Sequence, residues 1–357
     1  MIVKQEIKKL CAHPMMWCLL ILCFFINLLL LWSSLNECYK ELPKVHDAIL
    51  QQGVEEEFYQ ERLSIYDTLD MVQIKEMKEE MQDYHPKGSY KRSIDRRYER
   101  LNQRVRDIVK DGEAEQLIYP GIVYRLHHHL YVKLLRWILL EMAVLMAFCV
   151  LYLMDYERIQ RTMDIVYTSS VGRRLQYIKW GSGIMAGLGF GMVLMLATLA
   201  VWFSLVPYQG FFGVSMSAAL MAEPRGILLY PFITFRKLTV LQYLLLTFIV
   251  GVLLVIIVGI LTGVFQLFLK NSYLSFLMEV ILLLGCIALW GQSSASWFDV
   301  AATWNPAVLW WRVGTWFMEG DVGTSFEGME VISILVQGLL YGCLGRIGYK
   351  RFLVSDC

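Results

Sequence analysis

The residues of this sequence that could take part in chemistry are few and lie far apart. Glu141 stands inside a long apolar stretch, where an ionisable side chain is costly and tends to be functional or paired. Asn27 and Gln337, in two other apolar stretches, are polar groups that could pair with it. We therefore predict that Glu141, with Asn27, either lines the path of a substrate or joins neighbouring helices. On this interpretation Glu141 is the only deep acid.

The histidines and the short motifs indicate no catalytic or metal site. The 6 histidines lie outside the centres of the apolar stretches, and His127, His128 and His129 are consecutive. Consecutive positions of a regular helix point about 100° apart, so these three cannot face one ion and are predicted to be interfacial anchors. The sequence has no HExxH motif, no nucleophile elbow and no Gly-rich phosphate loop. We predict no catalytic residue, no metal and no cofactor in this chain; if ATP is used, another chain binds it.

Composition places the chain in a membrane. Of its 357 residues, 57% are hydrophobic, so most of the chain must face lipid or a large core. The net charge of +1 gives no case for nucleic acid as a partner. Most of the 8 cysteines lie in or beside apolar stretches, which disfavours a disulfide framework.

Six apolar stretches predict an all-α membrane protein with six transmembrane helices and an extracellular helical hairpin domain between the first two. The six predicted spans are 15–34, 131–154, 180–206, 238–269, 273–290 and 331–345. The other predicted segments are an interfacial elbow helix at 1–14, the hairpin domain at 35–130, a cytoplasmic loop at 155–179, outer loops at 207–237 and 291–330, and a cytoplasmic tail at 346–357. The second outer loop is rich in aromatic residues and is predicted to hold re-entrant or interfacial helices. Both termini are predicted to be cytoplasmic, because Lys and Arg concentrate at the ends, in 155–179 and at Lys270.

The hairpin domain has an acidic first half and a basic second half, separated by a turn at Pro86-Lys87-Gly88. Apolar residues recur at helical spacing in both halves: Tyr59, Leu63, Tyr66, Met77 and Met81 in the first, and Ile94, Tyr98, Leu101, Val105 and Ile108 in the second. We predict two antiparallel helices with a narrow apolar seam and opposite charges facing each other. The alternatives are two solvated helices or a domain that receives or gates a substrate. Nucleic-acid binding by the basic helix is disfavoured because the acidic helix cancels its charge.

Glycines at helical spacing predict close contacts between spans. Gly183, Gly187 and Gly191 recur every fourth residue of the third span, and Gly259 and Gly263 share a face of the fourth. Small residues at this spacing let two helix backbones approach closely. Packing within one subunit is favoured over a contact between subunits.

The loop at 155–179 is the most distinctive polar segment between the spans. Ile159, Met163 and Val166 recur at spacings of four and three, which predicts a short helix, and 168–172 has the composition of a turn. The simplest interpretation is a solvated connector whose basic charges set the topology.

This loop resembles the loop between the second and third spans of type-2 ABC transporter permeases. The residues that stand in the positions of that family's pattern are Glu157, Thr162, Ile165, Ser169-Ser170, Gly172-Arg173 and Lys179. Arg161 stands where a Gly is common in the family, and Val171 where a Pro is common. The first 14 residues resemble the family's elbow helix, and the stretch with Asn305-Pro306 resembles its short helices between the last two spans.

The resemblance implies a permease subunit of an ATP-driven exporter in a bacterial cell membrane, moving a peptide, lipid or other amphiphile outward. It implies two copies of an ABC ATPase subunit that bind ATP and Mg, a second permease, identical or homologous, and membrane lipids as partners. The loop would be a coupling helix: Ile159, Met163, Val166 and Tyr167 would enter a groove of the ATPase, and Glu157, Arg173 and Arg174 would lie at its rim. The alternatives are a secondary carrier, a polytopic membrane enzyme, and a sensory or immunity protein on the same scaffold.

Overall fold

The computed structural model describes most of the chain. The described residues are 2–50, 63–116, 126–168, 172–206, 208, 210–218, 223–225, 228–290, 295–320, 322 and 326–354, with backbone only at 38–50, 164, 167, 223–225 and 228–230. Three predictions fall outside these residues: the place of Tyr59 in the hairpin seam, the centre of the turn at 168–172, and the side chain of Tyr167.

The fold is helical, and six of the described helices are long and apolar enough to cross a membrane. These spans, numbered one to six, are Pro14–Glu37, His128–Ile159, Gly172–Leu205, Val240–Leu269, Ser272–Trp290 and Met329–Val354. Each contains or closely overlaps a predicted apolar stretch, so the predicted all-α fold with six spans is confirmed. Four helices are longer than predicted. The first continues to Leu50, into the predicted domain, and the sixth continues to Val354, into the predicted tail. The second continues to Ile159 and the third begins at Leu175, so both take residues from the predicted loop at 155–179.

The second span is the centre of the bundle, and the glycine face of the third span packs on it. An added Cβ at Gly183 would lie 2.7 Å from the Cα of Val150, and one at Gly187 would lie 2.8 Å from the Cα of Met146. A larger residue would therefore force the two backbones apart. The predicted close approach is confirmed, and it is made within one chain.

The other predicted glycines bring the fourth span onto the same centre. Gly191 packs against Met142, Gly259 lies against Met146, and Gly263 lies against the indole of Trp180. Trp180 also donates a hydrogen bond to the carbonyl oxygen of Gly259 at 3.1 Å. The second, third and fourth spans thus form the packed core of the bundle.

The first and fifth spans lie at the periphery. In its most apolar segment the second span is 67% buried, whereas the first is 22% and the fifth 11% buried. The exposed residues of both peripheral spans are mostly large and apolar. A surface of this kind suits contact with lipid, because it exposes few polar groups that would need water as a hydrogen-bond partner.

The bundle has two chemically different ends. The basic end carries the N-terminal helix Ile2–Cys11, the loop between the second and third spans, and the turn after the fourth span. The N-terminal helix packs against the bundle there through Leu10, which is fully buried. The opposite end, here called the domain end, carries the segment between the first two spans together with the two long loops that follow the third and fifth spans.

The hairpin consists of helices Met71–Met81 and Gly88–Lys110. All five seam residues of the second helix are buried, as their spacing predicts. In the first half of the domain, Tyr66 is buried in the same core and Leu63 packs against it, as predicted. The prediction is wrong for Met77 and Met81, which are 48% and 83% exposed. The helical conformation is interrupted just before Asp70. The carboxylate of Asp70 accepts a hydrogen bond from the backbone N–H of Val72 and caps the start of a new helix. The new helix has a different phase, which turns Met71 and Lys75 inward.

The predicted charge pairing across the hairpin is found only in part: Glu79 of the first helix lies within electrostatic reach of Lys91 of the second, but the direct ion pair has the opposite sense. The ion pair between the two helices joins Lys75 of the first to Asp95 of the second at 2.6 Å, the reverse of the predicted signs. Basic side chains of the hairpin also reach the loops: Lys78 pairs with Glu319 at 2.7 Å, and Arg104 donates a hydrogen bond to the carbonyl oxygen of Thr234 at 3.3 Å. The hairpin is therefore held to its surroundings as well as closed on itself.

The domain end is built from three separate parts of the chain. The hairpin core includes Ile233 from the loop after the third span, and Val300 and Val322 from the loop after the fifth. The first of these loops contains an antiparallel ribbon, Glu223–Arg225 with Leu228–Tyr230. The second contains helices Trp297–Thr303 and Pro306–Trp311, started by the side chains of Ser296 and Asn305.

Candidate functional site

The loop between the second and third spans contains a helix break that its spacing did not predict. The second-span helix ends at Ile159, and a separate short helix follows at Met163–Tyr167. Arg161 lies between them with φ of 56°, in the left-handed region that favours glycine. The predicted single helix through Ile159, Met163 and Val166 is therefore wrong. The left-handed backbone gives a physical reason for a Gly at this position.

The apolar residues of the loop point in two directions. Ile159 is 58% and Ile165 72% exposed. Met163 and Val166 are only partly exposed and line a small cavity against the bundle, together with Phe352 of the sixth span. Among the side chains that the structure describes, the outward apolar surface of the loop is thus made by Ile159 and Ile165, whereas Met163 and Val166 serve internal packing.

A network of buried charges lies beneath this loop. Lys179 is fully buried and forms an ion pair with Glu157. Lys9 of the N-terminal helix contacts Glu157 at 3.2 Å and Glu6 at 2.7 Å. Glu157, predicted to lie at an exposed rim, is instead buried inside this network. The network joins the N-terminal helix to the second and third spans, so these three elements are held together at the basic end.

Further contacts tie the loop to the remaining spans. The guanidinium of Arg173 donates a hydrogen bond to the carbonyl oxygen of Leu353 at 2.8 Å, and Arg174 is exposed. The hydroxyl of Ser272 donates to the carboxylate of Asp155 at 3.0 Å. A displacement of the loop would therefore act directly on the fifth and sixth spans as well.

A polar contact deep in the bundle joins the first three spans. The side-chain amide of Asn27 donates to the carboxylate of Glu141 at 2.6 Å and lies 3.4 Å from the hydroxyl of Thr198. All three side chains are buried. The predicted pairing of Glu141 with Asn27 is confirmed, whereas Gln337 bonds elsewhere, to Ser333 at 2.7 Å. Within the described residues, one oxygen of Glu141 and the amide oxygen of Asn27 have no hydrogen-bond partner.

A second buried carboxylate was missed. Glu279, in the fifth span, is 2% exposed and accepts hydrogen bonds from Thr262 at 2.9 and 3.0 Å. One turn away, Ser275 donates to Gln266 at 2.9 Å. The statement that Glu141 is the only deep acid is therefore wrong. The sequence held a plain signal, because Glu279 is the only charged residue between 272 and 290.

Of the three histidines at the start of the second span, His128 is exposed, as expected for a surface anchor, but the other two are not. His127 and His129 are buried, and a π-helical segment, His128–Leu135, begins at this point. A ring nitrogen of His127 lies 2.8 Å from the carbonyl oxygen of Gly314. Burial lowers the pKa of His127 to about 4, so its imidazole is neutral near pH 7. Among the described residues, no group of three His, Cys, Asp or Glu side chains could hold a metal ion.

The six spans, with their buried carboxylates and the composite domain at one end, define a multi-pass α-helical membrane protein. Comparison of the chain with protein-family models, curated proteins and solved structures finds no match.

Proposed function

We propose that this chain is the membrane subunit of an ATP-driven exporter, arranged as in type-2 ABC transporter permeases. Two copies of a separate ATPase would bind ATP and Mg, and a second permease, identical or homologous, would complete the complex. The substrate would be a peptide, lipid or other amphiphile, moved outward across a bacterial cell membrane. Both termini and the basic end would then face the cytoplasm.

The observation that carries this proposal is the outward apolar surface of Ile159 and Ile165 at the basic end. Two large aliphatic side chains on a short loop, bordered by the exposed Arg158 and Arg174, suit a groove on a partner protein. Docking energy commonly comes from a few apolar anchors, and surrounding charges set the orientation. Glu157 and Lys179 lie behind this surface and belong to the proposed transmission rather than to the docking contact.

The buried network supplies a route for the motion. Glu157 lies in the last turn of the second span and Lys179 lies near the start of the third, so their ion pair makes the loop move with both helices. Removing one partner of a buried pair leaves an uncompensated charge, which disfavours arrangements that separate the two. An ATPase that binds one arrangement of the loop more tightly would shift the spans toward that arrangement.

The test is the double substitution I159D/I165D. Two charges placed in a desolvated contact should cost about 3 kcal/mol or more, which weakens ATPase binding by roughly a hundredfold or more. The tagged wild-type chain should be purified from its native membranes, and the co-purifying ATPase identified. The variant should still insert, since both side chains are largely exposed, but it should lose the ATPase and the stimulation of ATP hydrolysis.

The matched control is Q160D/T168D, which adds the same charges at two exposed positions of the same loop without removing an apolar side chain. It should retain the ATPase. Substitutions at Met163 and Val166 would not serve as docking tests, because these residues pack against the bundle and their replacement would destabilise the chain itself. Normal assembly and transport by I159D/I165D would remove the loop from the mechanism.

The buried carboxylates Glu141 and Glu279 favour a second candidate, an ion-coupled secondary carrier. Acidic groups within spans are common at proton or cation sites of such carriers. The two functions differ in their energy source. Transport by the purified chain alone in vesicles, driven by an ion gradient and independent of ATP, would favour the carrier and contradict the proposal above.

A further inference from the structure

A large groove opens between the third and sixth spans in the half of the bundle nearest the basic end. Its volume is about 570 Å³, within the range of roughly 300–1,000 Å³ that is usual for ligand sites. Trp180 and Ile184 of the third span, Ile260 of the fourth, and Gly342 of the sixth form its inner part. The groove is therefore lined mainly by apolar and aromatic groups.

Two glycines keep this groove open. An added Cβ at Gly181 or at Gly342 would meet no atom within 4 Å, so space lies next to both helices at these positions. This distinguishes them from Gly187 and Gly345, where an added Cβ would meet Met146 and Trp180. The exposed side chains of Met185 and Ile347 on the same two helices are apolar, as expected for a surface that faces acyl chains.

The mouth of the groove is basic and aromatic. Arg346 lines it, and the rings of Tyr177 and Tyr349 lie there with their centroids 5.3 Å apart. The neighbouring helix ends, 172–181 and 343–354, contain no acidic residue, and their basic residues are Arg173, Arg174, Lys179, Arg346, Lys350 and Arg351. Lys179 is neutralised by Glu157, but among the described residues Arg346 has no ion pair with a carboxylate.

We infer that this groove binds one phospholipid with an anionic headgroup, from the leaflet at the basic end of the bundle. An acyl chain would lie along Trp180, Ile184 and Gly342, and the headgroup phosphate would lie at Arg346. Charge complementarity decides the class of lipid: basic pockets between spans attract anionic headgroups, and tyrosines at the membrane interface suit the headgroup level. The inference does not rest on the proposed export function.

The test is lipid binding to the purified full-length chain in detergent, counted by native mass spectrometry. The probes are phosphatidylglycerol and phosphatidylcholine with identical acyl chains. The wild type should bind one molecule of phosphatidylglycerol more tightly than phosphatidylcholine. R346Q should lose most of this preference, about fivefold in affinity for one charge near the headgroup. G342L should weaken binding of both lipids, because the leucine side chain fills the inner groove.

Matched controls are available on the same helices. R351Q removes an exposed charge near the end of the sixth span, and G189L adds a leucine at an exposed glycine of the third span that also meets no atom within 4 Å. Both should bind lipid as the wild type does. If G342L does not yield folded protein, G181L tests the opposite wall of the groove.

Three results would overturn the inference. One is an unchanged preference for phosphatidylglycerol in R346Q, and another is an equal loss in R351Q, which would indicate diffuse attraction rather than this groove. The third is unchanged lipid binding by G342L; if that variant also lost a dimer present in the wild type, a second copy of the chain would be the occupant.

Discussion

At the scale of single residues, buried charge lies where separate segments of the chain must stay together. Glu113 is the clearest example at the domain end. Its carboxylate accepts two hydrogen bonds from Arg104, at 2.8 and 2.9 Å, and one from Ser215 at 2.7 Å. Arg104 also donates to the carbonyl oxygen of Thr234 at 3.3 Å. One carboxylate thus joins the hairpin to the loop that follows the third span.

We expect E113Q to destabilise the protein by about 3 kcal/mol at pH 7, because it leaves the Arg104 charge buried without its partner. Burial opposes ionisation of Glu113, but the hydrogen bonds from Arg104 and Ser215 bring its pKa below its usual value. A carboxyl group whose pKa is lower in the folded than in the unfolded protein stabilises the fold. This stabilisation is complete at pH values above the pKa in the unfolded chain, about 4.3, and is lost as the pH falls through the pKa in the folded protein.

The difference in stability between wild type and E113Q should therefore shrink as the pH falls below about 4. Thermal unfolding in detergent at several pH values measures it. E99Q, at an exposed position of the helix that carries Arg104, is the control and should change stability little at any pH. A difference that is independent of pH would contradict the role given to the ionised carboxylate.

At the scale of elements, the contact between the second and third spans depends on glycine at particular positions. Gly187 lies against the backbone of Met146, whereas Gly189, two residues on, faces open space. The same substitution at these two positions therefore separates a packing effect from a general effect on the helix.

We expect G187A to destabilise the bundle by about 1–3 kcal/mol, the usual cost of overpacking a well-packed contact. G189A should be neutral or stabilising by up to about 1 kcal/mol, because Ala favours a helix more than Gly does. The midpoint of thermal unfolding in detergent gives the order of the two variants. Equal effects would show that the glycine face does not set the distance between these spans.

At the scale of the whole molecule, the two ends of the bundle differ in where their Lys and Arg residues lie: in short loops at one end and in a long segment at the other. The basic end has short segments with an excess of Lys and Arg, such as 155–179 and the turn at Lys270. The orientation of a membrane protein follows the Lys and Arg residues of its short loops, whereas long loops cross the membrane largely regardless of charge. The basic residues of the domain end lie mostly in the long segment between the first two spans and therefore do not count toward the orientation. The charge distribution therefore predicts that the basic end is cytoplasmic.

K91C should react with an impermeant thiol reagent in whole cells, and I165C should react only after the membrane is permeabilised. Both positions are exposed. Cys11, Cys18 and Cys343 are exposed too and should first be replaced by Ser, together with Cys38 and Cys357, which lie in the predicted outer domain and tail. The unsubstituted background, carrying neither new cysteine, is the control. Labelling of I165C alone in intact cells would reverse the proposed orientation.

The sequence by itself determined the six spans, the seam of the second hairpin helix and the close approach of the third span to the second. Each of these depends on properties that repeat along a continuous stretch: length, hydrophobicity, and apolar or small residues at helical spacing. The periodicity of Ile94, Tyr98 and Leu101 was sufficient because nothing interrupts their helix.

Only the tertiary structure decided which side of each short element faces inward. The break before Asp70 changed the phase of one hairpin helix, and the left-handed Arg161 separated Ile159 from Met163. Glu157 is buried because Lys9, 148 residues away, and Lys179 meet it there. The local sequence pattern cannot predict these features. They depend on helix interruptions of one or a few residues, and on contacts with distant segments that only the packed bundle brings together.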